Sequence, residues 1–92
     1  MSTDFTSIQN HHERPVFEAV LAEQEHYLLG EDLLPDVACV ALNRLPPRYI
    51  RHAVDMAFYQ SEKERADSER AIADAVTYAY EFVQARVAMR AR

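Results

Sequence analysis

A chain of 92 residues with one glycine, Gly30, has little access to the tight hairpins of most all-β folds, because those turns need residues that accept positive φ. One glycine and four prolines also argue against loop-rich and collagenous designs. What remains is a mainly α fold: a small single-domain helical protein of three to four helices. With 49% hydrophobic and 27% charged residues, the chain holds enough apolar side chains for one core and too few residues for two. A domain this short buries only roughly 60% of the surface its unfolded chain exposes, so a homodimer is expected to supply further burial.

Charge and cysteine content narrow the function classes. A formal net charge of −5 argues against general nucleic-acid binding, which draws its affinity from Lys and Arg on phosphates. No apolar run reaches the roughly 20 residues of a membrane span. The start, Met1-Ser2-Thr3-Asp4, lacks the basic-then-apolar plan of a signal peptide, so a cytoplasmic location without a membrane partner is expected. Cys39 is the one cysteine and precludes an intrachain disulfide or a cysteine zinc cluster. Its neighbours Val37, Ala38, Val40 and Ala41 predict an inert, buried thiol.

Residues 1–9 read as a polar N-terminal tail with Phe5 and Ile8 isolated, and residues 10–92 as the domain. Val16, Phe17, Val20 and Leu21 mark the buried face of a first helix, which starts either at an Asn10/Glu13 capping box or at Pro15. Gly30 is expected to end that region, leaving 26–35 as a loop with a Leu-rich middle. Val37, Val40, Ala41 and Leu45 make a second stripe over 36–45, and Pro46-Pro47 must end it, because each proline disfavours α geometry at the residue before it.

Two periods compete over 49–59. Ile50, Ala53, Val54, Ala57 and Phe58 fit a helix, whereas Val54, Met56 and Phe58 alternate as in a strand; the reading leans to an extended segment. Ser61 with Glu64 is a capping box, so a new helix starts there and runs to about Arg90. Its core face is read as Ile72, Val76, Ala79, Val83 and Val87, flanked by Ala75, Phe82 and Met89.

Nine of the ten basic residues are Arg, and Arg44, Arg48 and Arg51 cluster around the double proline beside Tyr49. A guanidinium fork suits phosphate and the guanine edge, and an aromatic ring stacks on a base, so the cluster fits an anionic nucleotide. On composition alone the plainer reading of the same residues is a solvated turn whose Arg side chains pair with Asp36, Asp55 or a Glu. His11, His12, His26 and His52 lack the spacing of metal ligands on one helix, so no metal is expected. The chain has no nucleophile elbow, phosphate loop or zincin motif, and an enzyme is not expected.

The stretch DVACVALNRLPPRY from Asp36 to Tyr49 resembles the signature of the ComFB family, and Ile8 to Val20 is similar to that family's first helix. The Leu42, Asn43, Leu45, Pro46, Pro47 and Tyr49 core carries the resemblance. It implies a mainly α-helical homodimer without catalysis that, in several members, is a receptor for cyclic dinucleotides and is linked to competence, type IV pili, motility or biofilm control. Some members hold zinc on cysteines before the second helix. Here Tyr27, Leu28, Leu29, Gly30 and Glu31 stand there, so burial of Leu28, Leu29, Leu33 and Leu34 is expected to fix the loop instead.

The expected ligand is therefore c-di-GMP, before c-di-AMP, with no cofactor. The candidate ligand residues are Asn43, Arg44, Arg48, Tyr49, Arg51, His52 and Asp55, chosen for their chemistry. Arg44, Arg48 and Arg51 would take phosphates and base edges, Tyr49 would stack, and Asp55 would accept from guanine. Asn43 has an equal claim to capping the helix end. A downstream protein partner is expected to read the signal. The alternative is an adaptor that binds proteins through the same Arg and Tyr surface and takes no small ligand.

Overall fold

The computed structural model describes residues 3–52 and 54–91. Ala53, one of the residues behind the helical period of 49–59, lies outside the described residues, as do Met1, Ser2 and Arg92. The element order is β1 (Gln9–Asn10), α1 (Glu13–Glu23), α2 (Leu34–Arg44), β2 (Tyr49–Ile50), α3 (Val54–Tyr59) and α4 (Glu62–Arg90), with 3-10 turns at Gln24–His26 and Glu31–Leu33. The fold is mainly α, as the scarcity of glycine requires.

Ser61 opens α4 as its spacing to Glu64 predicts, its Oγ accepting from the Glu64 backbone N–H at 3.1 Å. Nothing interrupts the 29 residues that follow, so α4 is about 43 Å long and serves as the spine. Helices α1 and α2 pack on its middle, where the buried residues run from Ile72 to Val83, and on each other. Val16 and Val20 of α1, Val37 and Ala41 of α2, and Val76, Ala79 and Val83 of α4 fill the space between them.

Tyr80 occupies the centre of this core. It is fully buried, its hydroxyl donates to the Val20 carbonyl, and its ring lies flat on that of Tyr27 at 4.1 Å between centroids. That pair fastens the segment between α1 and α2. Burial of all four leucines does not: Leu34 is buried and Leu29 and Leu33 are half-buried, but Leu28 is 98% exposed. An aromatic stack across the core does what Leu28 was expected to do.

Several sequence expectations change for related reasons. Phe17 and Leu21 are exposed because α1 packs on α2 and α4 through Val16 and Val20, which already fill that contact. Phe82, Val87 and Met89 are also exposed, since α1 and α2 are only 11 residues long and α4 outruns them. Cys39 is exposed, one position round the helix from buried Ala38. The loop read over 26–35 is shaped by the two 3-10 turns, and Gly30 keeps an ordinary extended backbone with φ −68°. Helix α1 starts at Glu13, between the two predicted starts, and α2 starts at Leu34 with Pro35 in its first turn.

The segment 49–59 is not extended throughout. Tyr49 and Ile50 pair antiparallel with Asn10 and Gln9, and a helix follows from Val54 with Met56 buried beneath it. The strand is short because only the end of the tail runs beside it. The last residue of the predicted tail, Gln9, is thereby part of the ordered ribbon.

Candidate functional site

Leu45 leaves α2 in extended geometry, φ −102° and ψ 139°, as a residue before proline should. Pro46 and Pro47 have no N–H to donate, so the turn after α2 must be held from elsewhere. Asn10 and the ribbon hold it. The Asn10 Oδ1 accepts from the Arg48 N–H and the His12 N–H, each at 3.1 Å, and the His11 N–H donates to the Arg48 carbonyl at 2.6 Å. The Asn10 N–H in turn donates to the Glu13 carboxylate at 3.2 Å. The capping pair read from the sequence thus joins the turn to the start of α1.

This bracing presents Arg48, Tyr49, Arg51 and His52 at the surface on consecutive backbone. Tyr49 is 68% exposed, while Ile50, on the opposite face of the strand, is half-buried. Among the described residues neither Arg48 nor Arg51 forms an ion pair; the Arg pairs present are those of Arg14, Arg70 and Arg86. Asp55 is half-buried, and its N–H donates to the His52 carbonyl at 3.0 Å. Arg48, Tyr49, Arg51, His52 and Asp55 therefore lie along one stretch of chain.

Asn43 and Arg44 lie apart from them. The Arg44 guanidinium sits over the Tyr78 ring at 3.7 Å to its centroid, against α4. Asn43 points its amide toward Cys39 Sγ at 3.7 Å and lines a groove between α1 and α2. Residues adjacent in sequence diverge because the helix places them 100° apart.

Beneath the turn is a cavity of about 400 Å³ whose walls include His12, Pro46, Arg48, Gln60, Glu64 and Asp67. His12 is 8% exposed, and among the described residues its Nδ1 has no hydrogen-bond partner. Burial lowers its pKa, with His11 and Arg48 repelling the charged ring and the Pro46 carbonyl partly opposing them. Among the described residues no three His, Cys, Asp or Glu side chains converge on a metal position. No helix of the described residues is long and apolar enough to cross a membrane.

The sequence reading missed Asn10 and His12 as supports of this site. The Asn10/Glu13 spacing is the available signal: it marks a helix start, and the same Asn10 side chain also holds the turn. Chemically, the turn offers two guanidinium groups without carboxylate partners among the described residues and one exposed phenol ring, on a backbone fixed by four hydrogen bonds.

No curated protein and no solved structure matches the chain. The family described as late competence development protein ComFB matches residues 9–87, which take in β1 through most of α4 and the whole double-proline turn. With that much of its length matched, the chain belongs to the ComFB family.

Proposed function

We propose that this protein is a non-catalytic cytoplasmic receptor for a cyclic dinucleotide, c-di-GMP before c-di-AMP. It works as a homodimer and passes the signal to a protein partner. Membership of the late competence development family suggests a competence-related role. Control of type IV pili, motility or biofilm formation is the wider setting of the same proposal.

One observation supports the reading above the rest. Arg48 and Arg51 carry no carboxylate partner among the described residues and flank an exposed Tyr49 on a braced backbone. That is the arrangement a bis-phosphate with two stacking bases would use. An acidic protein still attracts a dianion where the local field is positive. Arg44 and Asn43 contribute less, because Arg44 is engaged by Tyr78 and Asn43 faces the α1–α2 groove.

Isothermal titration with c-di-GMP, c-di-AMP and GTP at physiological salt tests the proposal. Binding of one cyclic dinucleotide at micromolar Kd or tighter, with GTP silent and Arg48→Ala weaker by about tenfold or more, is the expected result. Silence from all three ligands would overturn it and leave the ligand-free adaptor.

A further inference from the structure

The cavity beneath the double-proline turn joins parts of the chain that lie apart in sequence. Pro46 and Arg48 reach it from the turn, Met56 from α3, and Glu64 and Asp67 from the first turns of α4. Its volume of about 400 Å³ lies toward the lower end of the roughly 300–1,000 Å³ of ligand pockets, which suits one base of a dinucleotide rather than the whole molecule. Ser61 sets the α4 wall: by capping the helix through the Glu64 N–H at 3.1 Å, it places Glu64 in the first turn, at the cavity. Asp55, the carboxylate that the sequence offers to guanine, is half-buried on α3 and does not line it.

Two opposite charges share this wall without closing on each other. Among the described residues neither Arg48 nor Glu64 forms an ion pair, whereas the neighbouring Asp67 is taken by Lys63 at 2.9 Å and by Arg70 at 3.8 Å. His12, also in the wall, is kept uncharged at neutral pH by its burial and does not neutralise Glu64. An unpaired guanidinium and an unpaired carboxylate in one cavity call for a ligand that presents acceptors to the first and donors to the second. Guanine does so, with O6 and N7 along one edge and N1–H and the N2 amino group along the next. Adenine does not, because its N1 lone pair would meet the carboxylate and its amino group the guanidinium.

We infer that Glu64, together with Arg48, reads one guanine of the bound cyclic dinucleotide: the Glu64 carboxylate accepts from N1–H and the N2 amino group, and the Arg48 guanidinium donates to O6 and N7. This rests on the reading of the turn as a cyclic dinucleotide site, and adds which residue sets the choice of base. Pro46 and Met56 give the faces of the ring an apolar surround. The second base stays outside on Tyr49, and Arg51 is left for the phosphates.

Isothermal titration of the full chain with c-di-GMP, c-di-AMP and cyclic di-inosine monophosphate, which lacks the N2 amino group, tests the assignment. The parent protein is expected to bind c-di-GMP about tenfold or more tighter than either of the other two. Glu64→Gln leaves the Ser61 cap in place, since that bond uses the Glu64 backbone, and should keep the parent's circular dichroism. It should lose about tenfold or more in affinity for c-di-GMP and largely erase the difference between c-di-GMP and the inosine ligand. Asp55→Asn should keep the parent's preference. A Glu64→Gln protein that still prefers c-di-GMP, a parent that binds the inosine ligand as tightly as c-di-GMP, or a preference lost in Asp55→Asn would overturn the role of Glu64 and leave the receptor reading standing. Silence of the parent toward all three ligands would overturn both together.

Discussion

At the residue scale, His12 and Tyr80 show two ways of placing a polar group inside a small protein. Tyr80 is fully buried and satisfied: its hydroxyl has the Val20 carbonyl, and its ring has Tyr27. His12 is buried with one ring nitrogen unpartnered, and protonating it would put a charge beside Arg48 and His11. Its pKa in the fold therefore lies below the usual histidine value of about 6.5. Below pH 6.5 the unfolded chain takes up a proton that the folded ring resists, so the unfolded state binds more protons and stability falls as the pH drops. Urea unfolding between pH 7 and pH 5 should show that decline, and the slope should be smaller in His12→Leu. Equal slopes in the two proteins would mean that His12 is not the group responsible.

At the scale of elements, the decisive connection is between the end of the tail and the double-proline turn. Asn10→Ala removes the acceptor shared by the Arg48 and His12 N–H groups, and should destabilise the protein by about 1–2 kcal/mol in urea unfolding. Asn10→Asp keeps the acceptor and should recover most of that loss. An Asn10→Ala protein as stable as the parent would show that water replaces the side chain without cost.

The positions of α1, α2 and α4, the stop at Leu45 and the Ser61 cap were legible in the sequence because each rests on local chemistry: periodicity, proline and a capping side chain. The facing of individual apolar residues was not. Periodicity marks a stripe wider than the contact it serves, so Val16 and Val20 go inside while Phe17 and Leu21 stay out. The short strand at 49–50 depends on a partner about 40 residues earlier, which no local pattern announces. The candidate site divides in the same way. Arg48, Tyr49 and Arg51 were legible as a cluster, but the separation of Asn43 and Arg44 follows from helical rotation and from Tyr78, far along the chain.

At the scale of the whole molecule, the chain exposes more surface than a protein of its mass needs to. Its accessible area is 7076 Å², where a compact monomer of 10.6 kDa would show about 5,500 Å². Its radius of gyration is 15.4 Å against about 12 Å for a compact chain of this length. The excess of about 1,600 Å² is twice the roughly 800 Å² that a standard interface takes from each partner. It therefore leaves room for both a second copy and a further protein. If the protein is the proposed homodimer, light scattering should give a mass about twice 10.6 kDa, and a monomer at all accessible concentrations would contradict that proposal.

The proposed seat of the cyclic dinucleotide is the braced turn after α2, and titrating c-di-GMP into the ¹⁵N-labelled protein reads it residue by residue. The largest amide shifts should fall on Arg48, Tyr49, Arg51 and His52, with small changes along α1. No shifts at saturating ligand, or shifts confined to the α1–α2 groove, would contradict it.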